Sequence, residues 1–206
     1  GGSDRSLWLK LPVGYFRTIF DERFARQFEV EAQEQTAMRR MIWPRGRILG
    51  GSSSINGLIY IRGQHADYDN WAQLGATGWS YKEVLPYFLR SECFDGPPSA
   101  YHGTGGELGV SELRNKDPSC QAWLDAAQEY GLPFNPDFNG ASDYGVGRYQ
   151  LSIKGRWRSS AAEAFLRPVQ SHPGLTLLSG VLATRILFEH HRAVGIECIK
   201  DGERVE

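Results

Sequence analysis

The sequence predicts an α+β fold, and three observations carry that expectation. Helix-start signals stand at Ser80, Asp117 and Ser160. Beyond residue 174 the apolar positions change to a strand-like period. Helical and strand segments are mixed without a β–α–β repeat, so an α+β domain, or a piece of a larger α/β protein, fits best.

Taken in order, residues 1–45 carry Trp8, Tyr15, Phe16, Phe20, Phe24, Phe28 and Trp43 without a sustained period. They read as an extended segment with short helical turns, lying over another surface because it cannot bury its aromatics against itself. Ser80-Tyr81-Lys82-Glu83 is a capping box, in which the Ser80 hydroxyl accepts from the Glu83 N–H and the Glu83 carboxylate reaches back. Val84, Leu85, Phe88 and Leu89 then form an apolar helical face that Pro86 breaks or kinks. Asp117-Pro118 supplies an N-cap and first helical residue for a helix through Trp123, Leu124 and Ala127 that stops at Gly131. Ser160-Ala161-Ala162-Glu163 opens a second boxed helix, which Pro168 disturbs. Loops are expected at Pro97-Pro98, His102–Gly106 and Pro133–Gly147. Leu175–Leu178, Ala183–Phe188 and Ala193–Ile199 read as strands, the last two forming a hairpin around His190-His191-Arg192.

The chain has 206 residues, enough for one domain or parts of two. Its 41% hydrophobic and 12% aromatic content can build a core, which argues against wholesale disorder. With 23 basic and 24 acidic residues, the net charge of -1 gives no electrostatic case for nucleic acid or an anionic membrane. No apolar run reaches the ~20 residues of a membrane span, and no signal-peptide pattern is present. Cys93, Cys120 and Cys198 are odd in number and widely spaced, so they read as free thiols in a reducing, cytoplasmic setting, with no zinc or other metal site.

One segment stands apart: Arg45-Gly46-Arg47-Ile48-Leu49-Gly50-Gly51-Ser52-Ser53-Ser54-Ile55-Asn56-Gly57. Paired glycines let a backbone approach a ligand closely, and serine is a preferred N-cap. A helix beginning there favours an anion by ~0.3–1 kcal/mol, with phosphate or diphosphate the natural guest.

The segment resembles the first signature of the glucose–methanol–choline (GMC) family of FAD-dependent oxidoreductases, at Gly46, Arg47, Leu49, Gly50, Gly51, Ser52, Ser53, Ile55 and Asn56. The likeness continues through Trp43-Pro44, Tyr60-Ile61-Arg62-Gly63, Asp67–Trp71, Gly78–Tyr81, Leu85–Phe88, Tyr101-His102-Gly103, Asp137–Gly140, Gly155-Arg156, Ser159–Ala162 and Ala193–Glu197. It covers essentially the whole chain and is greatest for the choline-dehydrogenase-like branch.

The resemblance implies an internal portion of a two-domain fold, an α/β FAD-binding domain with an antiparallel-sheet substrate domain. Residues 1–62 would be the FAD-covering segment with the cofactor loop. Residues 63–156 would be part of the substrate or cap domain, and 157–206 a return to the FAD-binding domain with adenine-side strands. It further implies that Gly50, Gly51 and Ser52 lie at the diphosphate and ribityl region of FAD. Asn56, Gly57 and the backbone near Ile59 would lie beside the flavin ring, and the Ala183 backbone at adenine. Some members attach flavin through a histidine just before the Asn; Ile55 stands here, which implies non-covalent FAD. The implied reaction is oxidation of a small alcohol by hydride transfer to flavin N5.

Two family features have no counterpart in these 206 residues. There is no Gly-x-Gly-x-x-Gly turn for the ADP moiety, and the catalytic histidine lies beyond anything corresponding to Glu206. Gly1-Gly2 matches the glycine pair that follows the family's acidic ribose ligand, so the expectation is an internal fragment, inactive alone. A non-catalytic binding fragment and one chain of a split flavoenzyme are the alternatives. None of His65, His102, His172, His190 and His191 is assigned to catalysis. No GxSxG elbow surrounds Ser52–Ser54, and Asp67, Asp69 and Asp143 lack calcium-loop spacing.

Overall fold

A computed structural model describes residues 2–114 and 117–205; Gly1, the first of the opening glycine pair, lies outside them. Two single-turn helices, α1 (Leu7–Lys10) and α2 (Tyr15–Thr18), flank a 3-10 turn at Pro12–Gly14. An antiparallel hairpin follows, β1 (Ala25–Val30) with β2 (Met41–Gly46), in which Phe28 faces Trp43. This hairpin replaces part of the expected extended segment. Most of its residues are exposed, so no buried face imposes the alternation by which a strand is read from sequence. Phe24 packs with Leu9 and Ala25 on Ile48 and Ile55, but Trp8, Phe16, Phe20, Phe28 and Trp43 stay exposed, so the chain supplies the expected supporting surface for few of these aromatics.

The middle of the chain alternates short strands and helices: β3 (Ile59–Tyr60), α3 (His65–Gln73), α4 (Tyr81–Ser91), β4 (Glu92–Phe94), β5 (Leu108–Val110), α5 (Pro118–Glu129), β6 (Gln150–Leu151), β7 (Ile153–Lys154) and β8 (Trp157–Arg158). Antiparallel pairs β3–β6 and β7–β8 and the parallel pair β4–β5 hold them together. The capping box at Ser80 is present, with the Ser80 N–H donating to Glu83 Oε2 at 3.1 Å, and α4 runs through Pro86 rather than ending there. Asp117 caps α5 by accepting from Ser119 N at 2.8 Å, and Gly131 follows with φ +103°. The sequence signals did not reveal α3. Its start is fixed from the third position, where Asp67 accepts from the Gln64 N–H at 2.9 Å, and it buries no residue. Asp69 accepts from Tyr81 N at 2.9 Å and so ties α3 to the start of α4.

Polar side chains fill the interior of this middle region. Glu92 is fully buried and accepts from Arg62 Nη2 at 3.0 Å and from Gly103 N at 2.9 Å, with His102 Nδ1 at 3.1 Å. His102 Nε2 lies 3.0 Å from Asp137 Oδ2. Asp137 Oδ1 accepts from Gln150 Nε2 and from Asn139 N, both at 3.0 Å. Asn139 closes the circuit, donating to Gln150 Oε1 at 2.8 Å and accepting from Arg62 N at 2.8 Å. With a carboxylate at each ring nitrogen, only the doubly protonated imidazole can donate to both. Burial alone would lower the His102 pKa, but the bonds and charges of Asp137 and Glu92 outweigh it and raise the value to about 9. Burial acts against the Asp137 carboxylate, whose bonds from His102 and Gln150 nevertheless bring it down to about 2.

After β8 the expected boxed helix appears as a π-helical turn, Ala162–Leu166, continued by a 3-10 turn, Arg167–Val169. Ser160 Oγ accepts from Glu163 N at 3.3 Å, and Pro168 brings no N–H with which to extend a regular helix. This turn is latched to the chain start: Arg167 Nη2 donates to the buried Asp4 carboxylate at 2.7 Å, and Lys10 pairs with Glu163. Leu175–Leu178 is not a strand, contrary to expectation. Leu175, Leu177 and Leu178 are exposed, and the segment has no ladder partner. The expected hairpin is present as β9 (Val181–Glu189) and β10 (Arg192–Lys200), with β11 (Glu203–Val205) added at the edge. Leu182, Ile186 and Phe188 on β9, with Ile196 opposite Ile186, are each more than half exposed. Among the described residues no helix is long and apolar enough to cross a membrane.

Candidate functional site

The glycine–serine segment leaves β2 at Gly46 and turns sharply. Gly50 (φ +84°) and Gly51 (φ +57°) occupy left-handed backbone, followed by a 3-10 turn over Gly51–Ser54. The expected helix is therefore a single short turn, too short for a summed helix dipole, and the dipole argument for an anion does not apply. What remains is glycine geometry. A side chain on Gly46 would strike the Gly51 carbonyl, and one on Gly50 would press on Ser54 Oγ and Ala162. Those two glycines serve the protein's own packing. Gly51 and Gly57 differ, because a Cβ on either would meet nothing within 4 Å.

All three serine hydroxyls are engaged with the turn or its neighbours. Ser52 Oγ accepts from Gly46 N at 3.1 Å, and Ser54 Oγ donates to Leu49 O at 2.9 Å. Ser53 Oγ accepts from Ala161 N at 2.9 Å and donates to Gly50 O at 2.5 Å. Among the described residues no histidine or carboxylate hydrogen-bonds to them, so the serines lack the base a nucleophile needs. Leu58 closes the segment in left-handed backbone (φ +70°) with its side chain buried. Its carbonyl accepts from Ser152 N at 2.8 Å and Ser152 Oγ at 3.0 Å, so β6–β7 hold a conformation that a non-glycine residue adopts at a cost of about 1–2 kcal/mol.

Arg158 is the residue that sequence reasoning missed. It is 2% exposed, and its Nη1 donates to Asn56 Oδ1 at 2.7 Å and to Ser53 O at 3.2 Å. Nε and Nη2 are buried without partners, and burial lowers its pKa to about 10. Among the described residues no carboxylate pairs with it. The sequence offered no signal for it, since Lys154 and Arg156 stand just before it in the same charged stretch.

Gly50, Gly51, Ser52, Asn56 and Gly57 thus form one continuous turn, and Ile59 begins β3 two residues later with its side chain exposed. Ala183 sits on β9 opposite Cys198. A groove of about 790 Å³ runs between Arg45, Gly46 and Arg47 on one side and Val181 and Leu182 on the other, and none of Gly50, Gly51, Ser52, Asn56, Gly57 or Ala183 lines it. His65 stacks on Tyr81, His102 is locked between carboxylates, and His190 and His191 form the β9–β10 turn. No cluster of three metal-ligating side chains exists among the described residues.

Residues 28–206 match the family model described as GMC oxidoreductase. An oxygen-dependent choline dehydrogenase of Photobacterium profundum is 38% identical over 100% of this chain and 36% of its own length. The mitochondrial choline dehydrogenase of Mus musculus is 40% identical over 98% of this chain and 34% of its own length. The chain therefore spans about a third of the length of these relatives. The crystal structure of pyridoxine 4-oxidase from Mesorbium loti superposes on 99% of the chain and 41% of its own, with a TM-score of 0.90 and 27% identity. An FAD-dependent oxidoreductase from Chaetomium thermophilum does so with a TM-score of 0.85 and 29% identity over 99% of this chain and 38% of its own. Turn, hairpin and polar interior are thus parts of one larger architecture, and the chain belongs to the GMC oxidoreductase family.

Proposed function

We propose that this segment forms the flavin-covering side of a non-covalent FAD site in an oxidoreductase that acts on CH–OH groups of small alcohols. The outward face of the glycine turn carries the reading. Gly51 and Gly57 leave space that no atom of this chain fills, and Asn56 stands exposed between them. Gly57 has no left-handed backbone angle to explain it, and close approach of a ligand to its Cα supplies the reason. Gly50, Gly51 and Ser52 would lie at the diphosphate and ribityl side. Asn56, Gly57 and the Ile59 backbone would lie at the ring, and the Ala183 backbone at adenine. When bound, FAD supplies the hydride acceptor.

Ile55 supports non-covalent attachment: its side chain is buried with Leu9, Ala25 and Ile48 and offers no nucleophilic nitrogen. The names of the choline dehydrogenase relatives, of an alcohol dehydrogenase from Pseudomonas putida and of the pyridoxine 4-oxidase support the substrate class. Residues 1–62 and 157–206 would serve the cofactor, and 63–156 the substrate domain. None of the five histidines matches the family's catalytic position, so the isolated 206 residues are expected to oxidise no alcohol. The bare face of β9 and β10 favours one further reading, in which a second chain of a split enzyme covers it. The free thiols of Cys93, Cys120 and Cys198 support a reducing, cytoplasmic setting.

The test is visible absorption of the longer polypeptide that carries these residues. Flavin bands released on denaturation are expected, and a colourless purified protein rejects the reading. Robust alcohol oxidation by the 206-residue chain alone would reject its inactivity. Gly57→Ala should leave stability within about 0.5 kcal/mol yet lower flavin occupancy, because its methyl enters only the space assigned to the ring. Full occupancy in that variant would place the ring elsewhere.

A further inference from the structure

We propose that Arg158 is a positioning residue for the flavin: it fixes the Asn56 amide so that both Nδ2 hydrogens face the ligand side of the turn. This inference rests on the FAD reading above for its ligand, but its geometry stands without it. Asn56 Oδ1 receives two obligatory donors, Arg158 Nη1 at 2.7 Å and the Leu58 N–H at 3.2 Å. Neither group can accept, so the reversed amide would set N–H against N–H on both sides. The carbonyl end must face inward. Asn56 is exposed, and its neighbour Gly57 faces open space, so the amide donors point to the side where a ligand fits. They would meet acceptor atoms at the edge of the flavin ring.

The guanidinium also braces the turn behind that amide. The same Nη1 donates to the Ser53 carbonyl at 3.2 Å, while Ser53 Oγ holds Gly50 O and Ala161 N. Arg158 therefore joins Asn56 to the Gly50–Ser53 backbone, two parts of the turn that a cofactor would touch together. A buried cation without a carboxylate is expensive for a fold to keep. An apolar residue would fill the volume at lower cost, so stability alone does not account for arginine here. Because one nitrogen makes both bonds, a lysine ammonium can replace it, whereas methionine cannot.

The experiment uses the full polypeptide that carries these residues, with Arg158→Met, Arg158→Lys, Asn56→Ala and the Arg158→Met/Asn56→Ala double variant. Flavin dissociation constants are read by fluorescence on reconstituting the apoprotein. Arg158→Met should weaken binding about tenfold or more, and Arg158→Lys should recover most of that loss. The double variant should be no weaker than the poorer single one, because both substitutions remove the same oriented donors. Multiplying losses, or a folded lysine variant as poor as the methionine one, overturns the proposal. A role confined to stability would lower the melting temperature without this coupling. The Asn56 side-chain amide resonances of the apoprotein give a readout independent of flavin. They should shift in Arg158→Met and return in Arg158→Lys, and resonances unchanged in both overturn the proposal. A wild-type polypeptide that binds no flavin defeats the functional reading alone; the amide resonances then decide the positioning claim.

Discussion

The middle region and the C-terminal sheet solve the burial problem in opposite ways. Between Tyr60 and Arg158 the interior is ionic and amide-rich, built on Arg62, Glu92, His102, Asp137, Asn139 and Gln150. In β9–β11 the hydrophobic side chains exist but are uncovered, with Ile186, Phe188 and Ile196 each more than half exposed. The carboxylates of the middle region find their donors within it, although Arg62 Nε, Tyr81 Oη and Arg148 Nε are buried without partners. The sheet satisfies its backbone by hairpin pairing, and its apolar face calls for a surface to meet.

Glu92→Ala should have the largest effect on this contrast. It strands Arg62 and removes one carboxylate from His102, and should cost about 3–5 kcal/mol in urea unfolding. Amide exchange should accelerate in β4 and β5 and stay unchanged in β9 and β10. Equal acceleration in the sheet would mean that the two regions unfold as one.

A smaller effect should appear on changing pH. The His102 pKa is raised from 6.5 to about 9, so its stabilising contribution is complete below pH 6.5 and is lost as pH rises through 9. The Asp137 pKa is lowered from 3.8 to about 2, so its contribution is complete above pH 3.8 and is lost as pH falls through 2. The middle region should therefore be most stable between about pH 4 and 6.5. Its melting temperature should decline toward pH 9, with a flatter decline in His102→Gln. Identical alkaline slopes for both proteins would remove the imidazolium from the account.

The smallest expected effect belongs to the sheet. Ile186→Thr keeps a β-branched residue on an exposed face and should change the stability of the 206-residue chain by no more than about 0.5 kcal/mol. In a longer polypeptide that covers the face, the same substitution should cost more. A large loss in the short chain would show that the face is already packed.

The features legible in sequence were those whose cause is local. Ser80 with Glu83, and Asp117 with Pro118, announce helix starts because cap and partner lie within one turn. Gly50 and Gly51 announce a sharp turn for the same reason. The β1–β2 ribbon escaped because neither face is buried enough to impose a period. The polar interior escaped because Arg62, Glu92, His102 and Gln150 become neighbours only after folding, and each alone reads as a surface residue. Arg158 is the extreme case: its meaning depends on Asn56, 102 positions earlier.

The latch between the chain start and the π-helical turn sets an order of events during synthesis. Arg167 meets Asp4 across 163 positions, and Lys10 meets Glu163 across 153. A ribosome adding about 5–20 residues per second needs roughly ten to thirty seconds to supply the second half of this clasp. Through that interval Asp4 has no cation from Arg167, and the first helices have nothing holding them to the turn they will join. Asp4 and Lys10 are thus made well before their partners and docked late. A nascent chain halted before Glu163 should keep this stretch open to proteases and chaperones, and release past Arg167 should close it.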